Sequence, residues 1–337
     1  MDILSDIESF GRLFLELLNK QKANREAAIL HSHISKAKSY NHWFTEDFVN
    51  LRLTQICNFL YSEKFISSYS ELLKKNIQKG KYFGISSEEK IPLEEFPILL
   101  FLLLSGNSFS YKIFEKSDKL LQFFFELLGK NIQGFKERID FTVSTIKNAE
   151  KFIVTRQKEE RAEIKKYYEK KELFYEIRYP SVAVLDGNEQ PEDLNLLGKD
   201  IFTFFGMGPG NIKKLYLPRG YDLQVLFRAL EKWNFLNDHN AYANNCQYYR
   251  SVYLLNKISF FDTGFMLFKE DSGMRSPTSV LYYEFFEDKK AILGKLNNSL
   301  NVSHIFTLNP VSPKELGFGE SLTQLLIPSE NFINFLQ

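Results

Sequence analysis

The run Ser181-Val182-Ala183-Val184-Leu185, closed by Asp186-Gly187, constrains the fold of this chain more than any other stretch. A short apolar run ended by a turn dipeptide reads as a buried strand. Shorter or less regular strand candidates lie before it at 81–85, 109–114, 141–143 and 151–155, and after it at 213–217, 252–255 and 280–285. Helix-like segments separate them: 91–104, ended by Ser105-Gly106-Asn107; 118–128, with Ser117 as its cap; a piece between 143 and 151; and the amphipathic 194–205. Strands alternating with helices predict the α/β class, a parallel sheet built through crossover connections.

The amino end is different. Ile3, Ile7, Phe10, Phe14 and Leu17 recur at three- and four-residue steps, one apolar helix face, and residues 1–75 contain no proline and one glycine, Gly11. Residues 156–178 are charge-rich and read as a solvated helix face, where Lys165 and Glu169 are spaced to pair for only ~0.2–0.5 kcal/mol. The pattern divides the chain into an N-terminal helical region (1–75), a nucleotide-binding-like domain (76–180), a catalytic-type domain (181–300) and a C-terminal segment (301–337) that returns to the first domain or to an interface.

Composition excludes several functions. A formal net charge of +1 gives no electrostatic case for nucleic acid or an acidic membrane surface. The 33 phenylalanines and 17 tyrosines sit at core spacings without a basic patch around them, so they read as packing. Two cysteines, Cys57 and Cys246, make no disulfide framework. His31, His33, His42, His239 and His304 are too scattered for a metal site, and no metal is expected. The greasiest run, 96–104, is far short of the ~20 residues that span a bilayer. No signal-peptide pattern opens the chain. The expectation is a soluble, cytoplasmic protein without a membrane span.

Motifs from 179 onward narrow the reading. Ser181-Val182-Ala183-Val184-Leu185-Asp186-Gly187 is followed by Leu197-Gly198-Lys199-Asp200-Ile201-Phe202 and Asn211-Ile212-Lys213-Lys214-Leu215-Tyr216-Leu217-Pro218. Then come Tyr242-Ala243-Asn244-Asn245, Asp262-Thr263-Gly264-Phe265 and Ser276-Pro277-Thr278-Ser279-Val280-Leu281-Tyr282-Tyr283-Glu284. In this order and spacing they resemble the Lux-type acyl-CoA reductases (the LuxC family), a branch of the aldehyde dehydrogenase superfamily. Upstream, Asn41-His42-Trp43-Phe44-Thr45-Glu46 matches that family's Asn-x-Trp-Phe-Thr segment. The resemblance implies a Rossmann-like nucleotide-binding domain and an α/β catalytic domain around a cleft. It also implies chemistry in which a cysteine takes an acyl group from CoA and NADPH reduces the thioester to an aldehyde.

The departures fall on that chemistry. The family's Gly-Leu-Gly-Cys-Arg-Asn run corresponds to Gly206-Met207-Gly208-Pro209-Gly210-Asn211, so Pro209 holds the nucleophile's place and brings neither a thiol nor a backbone N–H. The family's Ala-Gly-Asn-Ile-Pro corresponds to Glu88-Glu89-Lys90-Ile91-Pro92, which puts Lys90 where an oxyanion-donating asparagine is implied. Losing one such donor typically costs roughly 10²–10³ in rate. On the cofactor side, Thr-Gly-Ser-Asn-Asn corresponds to Thr155-Arg156-Gln157-Lys158-Glu159, a helix start whose bulk and negative charge oppose a pyrophosphate. Lys112 remains at the position implied to contact the adenosine ribose.

The chain is therefore expected to be a degenerate, non-catalytic homologue with no cofactor, and to act as a subunit that binds an acyl-CoA or acyl-carrier partner or that scaffolds. It is expected to form a homo- or hetero-oligomer with an active relative. The alternative is an active NADPH-dependent reductase with a relocated nucleophile, for which Cys246 is the candidate and His239 the acid/base or substrate contact.

Overall fold

A computed structural model describes residues 3–20, 24–113, 119–155, 171–175 and 179–337. The chain divides into two compact units, residues 1–177 with 325–337 and residues 178–324. The helical region 1–75 thus belongs to the first unit, and the second unit runs past 300 to 324 before the chain returns to the first.

Four helices open the first unit: α1 (Ile3–Asn19), α2 (Arg25–Tyr40), α3 (Glu46–Leu60) and α4 (Glu63–Leu73). The starts of α2, α3 and α4 are set by side chains that accept otherwise orphaned backbone N–H groups: Asn24 from Ala27 at 2.9 Å, Thr45 from Phe48 at 3.4 Å and Ser62 from Phe65 at 3.2 Å. The predicted face of α1 is buried at Ile7, Phe10, Phe14 and Leu17. The sheet follows, with β1 (Tyr82–Ser86), β2 (Ser108–Lys112), β3 (Ile139–Thr142), β4 (Lys151–Val154) and β5 (Glu172–Tyr175) in the order β3-β2-β1-β4-β5, all pairs parallel. Phe124 on α6 (Lys119–Asn131) packs on Phe14 at 4.7 Å, Phe10 at 5.4 Å and Phe96 at 5.6 Å. Among the described residues of this unit most phenylalanines are core.

Three elements differ from expectation here, the first being β5, which pairs in the sheet although it lies inside 156–178, a stretch that reads as a helix face. The helix expected over 91–104 is only α5 (Phe96–Leu104), because Pro97 fixes its first turn and Leu93 is left-handed at φ 51. Residues 143–150 form no helix: Ser144 folds back instead, its N–H donating to Thr142 Oγ1 at 3.1 Å. The cap Ser117, residues 156–170 with Lys165 and Glu169, and Arg156 to Glu159 lie outside the described residues.

The second unit is a seven-stranded sheet in the order β12-β11-β6-β7-β10-β9-β8. Its strands are β6 (Ser181–Val184), β7 (Ile212–Pro218), β8 (Phe261–Asp262), β9 (Leu267–Glu270), β10 (Val280–Phe286), β11 (Ile305–Thr307) and β12 (Glu315–Leu316). Only β8 runs antiparallel to its neighbour. The run from Ser181 to Leu185 contains β6, whose four residues are buried. The strand expected at 252–255 is instead the last turn of a helix, Asn240–Leu255: Cys246 and Tyr253 lie on one face of it, two turns apart, and pack with Leu267 and Val280. Among the described residues no helix is long and apolar enough to cross a membrane.

Candidate functional site

In the first unit the strand order reverses between β1 and β4, and ligands of open α/β sheets bind outside the carboxyl ends of the strands at such a switch point. Ser87 follows β1 there, and Thr155 follows β4. Both hydroxyls meet one carboxylate: Glu95 Oε1 accepts from Ser87 Oγ at 2.7 Å and from Thr155 Oγ1 at 2.8 Å. Glu95 immediately precedes α5 and is 0% exposed. The switch point is thus furnished with a buried carboxyl group that engages both hydroxyls. Lys112 stands half-buried at the end of β2.

Lys90 is exposed, and its backbone N–H donates to Glu94 at 2.6 Å. The loop that carries it is held from two sides. Asn41 donates to the Glu89 carbonyl at 3.4 Å, which gives the Asn-x-Trp-Phe-Thr segment a structural role. Arg52, on α3 and 0% exposed, donates to the carbonyls of Pro92 at 3.2 Å, Leu93 at 3.4 Å and Leu325 at 3.3 Å.

In the second unit the Pro209 segment joins the helix Pro191–Phe202 to β7. Asp193 accepts from the Gln190 N–H at 2.9 Å to start that helix. Past its end, Phe204, Phe205 and Gly206 take φ values of 56, 57 and 68. Two left-handed non-glycine residues cost of order 1–3 kcal/mol each and persist only where their surroundings hold them. At Gly206 a Cβ would also lie 2.9 Å from the Ile201 carbonyl, so only glycine fits. A tight turn follows, closed by Asn211 N–H to the Gly208 carbonyl at 3.1 Å, with Pro209 half-buried in it. Asn211 is buried, and its Nδ2 donates to the carbonyls of Asp200 at 2.8 Å and Ile201 at 3.4 Å, capping the helix from beyond the turn. The turn at Pro209 is a braced structural joint with no side-chain nucleophile in it.

The other candidates lie elsewhere. His239 begins the helix Asn240–Leu255, accepts the Tyr242 N–H on Nδ1 at 3.4 Å, and packs its ring against Phe205 at 4.4 Å. Cys246 is 1% exposed, and burial pushes its thiol up. Arg250 approaches its sulfur at 3.8 Å, but that guanidinium is engaged by Asp262 at 2.5 and 2.9 Å. Cys57 is buried in the core of the first unit. Among the described residues no group of three or more His, Cys, Asp or Glu side chains is arranged to hold a metal ion.

Asp200 and His304 show how burial shapes this unit's electrostatics. Asp200 accepts from the N–H groups of Gly319 at 2.6 Å and Ser321 at 3.2 Å, yet burial raises its carboxyl from 3.8 to about 6. His304 is lowered from 6.5 to about 4 by burial and then by Lys314. The raised carboxyl favours folding below its ordinary value and loses that contribution as pH rises through 6. The lowered histidine favours folding above 6.5 and loses that contribution as pH falls through 4. Each swing is worth roughly 3 kcal/mol, and the two have opposite signs. Relative to wild type, His304→Gln is therefore expected to gain stability between pH 6.5 and pH 4, and Asp200→Asn to lose it. Urea midpoints across that range check this, and parallel profiles for all three proteins would contradict it.

By sequence, no protein-family model matches the chain, and neither does any curated protein. Solved structures do match in three dimensions. The succinic semialdehyde dehydrogenase of Streptococcus pyogenes, solved with NADP⁺, superposes with a TM-score of 0.62 at 11% identity, covering 97% of this chain and 80% of that one. Aldehyde dehydrogenase 21 of Physcomitrella patens, solved with succinate, gives 0.62 at 11%, covering 90% and 72%. A bifunctional proline utilization A protein gives 0.62 at 11%; the match covers 90% of this chain but only 35% of that protein, so the chain spans about a third of its length. Identities this low carry the fold alone, and the chain has an aldehyde-dehydrogenase-like α/β fold, a Rossmann-like unit joined to a catalytic-type α/β unit.

Proposed function

We propose that this chain is a non-catalytic relative of the oxidoreductases whose fold it has, degenerate from an acyl-CoA reductase, and that it works as a binding or scaffolding subunit. The observation that carries the reading is the Gly206–Asn211 turn. It is braced as a structural joint, and the position matched to the family's cysteine is Pro209. Acyl transfer to the protein needs a nucleophile, and both cysteines are buried. The switch point supports the same reading, since Glu95 places a buried carboxylate where a dinucleotide phosphate would need donors.

The cofactor test is calorimetric. Titration of the full chain with NADPH and with NADP⁺ is expected to give no binding heat at micromolar concentrations. A dissociation constant in that range would return the chain to the reductase reading, with Lys112 and Thr155 as cofactor contacts and Cys246 as the nucleophile to examine. The scaffolding half predicts association. Sedimentation as a monomer, both alone and mixed with an active acyl-CoA reductase, would leave binding of an acyl-CoA or acyl-carrier partner as the remaining role.

A further inference from the structure

The two edges of the second unit's sheet are built differently. At one end β12 keeps both its residues buried. At the other, β8 exposes both, and residues 259–264 around it contain no proline, lysine or arginine. A strand edge offers unpaired N–H and C=O groups along its outer side, and folded proteins usually blunt it with a proline, an unpaired charge or a covering element. The one charge on β8 is Asp262, and Arg250 neutralises it through Nε at 2.5 Å and Nη2 at 2.9 Å. The edge is open and carries no net charge.

Apolar side chains flank it on both faces. Phe261 is 45% exposed, and its ring packs at 5.8 Å against Phe227 on the helix Leu223–Leu230. Successive strand residues point to opposite faces, so Asp262 turns the other way, toward Arg250 on the helix Asn240–Leu255. Leu254 follows Arg250 by four residues, one turn on along the same stripe, and is 63% exposed. Leu255 beside it is 84% exposed, and Tyr248, two turns earlier, is exposed on that side too. Single exposed leucines are ordinary, but apolar side chains gathered beside an open strand mark a contact surface.

We propose that two copies of this chain associate through β8, the two strands pairing antiparallel about a twofold axis, with Phe261 and Leu254 of each copy covered by the other. The occupant is a second copy because identical edges paired antiparallel are self-complementary: what β8 lacks on its outer side, another β8 supplies in the opposite direction. The Arg250–Asp262 pair favours the same occupant, since a charge neutralised within each copy does not repel its twin across the axis. A contact made by a two-residue strand and a few side chains belongs to the small, weak class of interfaces, with dissociation in the micromolar range. This contact rests on the scaffolding half of the proposed function and names its surface; cofactor binding and turnover do not bear on it.

The test is sedimentation velocity of the full chain from about 1 to about 200 μM, the range in which so small an interface forms. Wild type is compared with Leu254→Lys and with Leu300→Lys, a control at a leucine 86% exposed between the helix Lys289–Asn297 and β11. Both leucines are exposed, so both variants are expected to melt as wild type does. Wild type and Leu300→Lys should pass from monomer to dimer alike, and Leu254→Lys should need about tenfold more protein or worse, because the twofold axis brings two new charges into one contact. Wild type that stays monomeric throughout would overturn the proposal. A dimer unchanged in Leu254→Lys would overturn it too, while leaving scaffolding through another face. Equal weakening by both lysines would also overturn it, since added charge and not its place would then decide.

Discussion

Native protein treated with a thiol-reactive disulfide such as Ellman's reagent at pH 8 is expected to release almost no thiol, whereas urea-unfolded protein releases both cysteines. Cys57 is buried in the first unit, and burial pushes its thiol from 9.0 to about 12. The thiolate is the reactive form, so a rise of that size makes it scarcer by roughly 10³ before access is considered. Cys246 is also raised by burial, and it packs with Tyr253, Leu267 and Val280. Arg250 pulls in the other direction, but its charge is shared with Asp262. A thiol that reacts in the folded protein within minutes, or an acyl-CoA that adds one acyl mass to the intact chain, would restore Cys246 as a nucleophile.

Arg52→Met is expected to destabilise the first unit by about 3 kcal/mol, the low end of the cost of breaking up a buried charged network. For a unit of this size that corresponds to a fall in melting temperature of roughly 6–12 °C. Methionine keeps the stem's volume and removes the donors, so the Pro92, Leu93 and Leu325 carbonyls each lose a partner. Leu93 is held left-handed at φ 51, and its neighbours Glu94 and Glu95 carry the contacts to Lys90 and the switch point. Loss of Arg52 should therefore loosen this loop before the sheet, seen as faster hydrogen exchange from Glu89 to Phe96. A variant that melts as wild type does would mean that the carbonyls find other donors.

The outline of both sheets was legible because their central strands are short apolar runs. β1, β2, β4, β6, β7 and β10 fall within one or two residues of their expected places, or at most two. The edge strand β3 was also expected within two residues, but β8 and β12 are two residues each and carry no periodic pattern, and β5 lies inside 156–178, which reads as a helix face. The apolar content of residues 252–255 suited strand and helix alike, and the face shared by Cys246 and Tyr253 decided it.

The site was legible in part. Pro209, Lys90 and Thr155 were found through the resemblance, which points to positions and says nothing of what surrounds them. Arg52, Glu95, Asp200 and Asn211 were missed, although three of them left a trace. Arg52 sits between Val49 and Ile56 on the buried side of α3, Asp200 between Leu197 and Ile201, and Glu95 beside Glu94 in a run whose other residues are apolar. A charged residue on an apolar face must find partners when it folds inward. Asn211 left no such signal, because its role depends on a turn that only three-dimensional packing creates.

The most direct test of the central claim is turnover. The full chain is mixed with a long-chain acyl-CoA and NADPH, and NADPH absorbance and aldehyde release are followed together, with an active acyl-CoA reductase run alongside. NADPH is expected to be consumed no faster than in the protein-free control, and no aldehyde to form. Aldehyde produced in step with NADPH oxidation would contradict that claim.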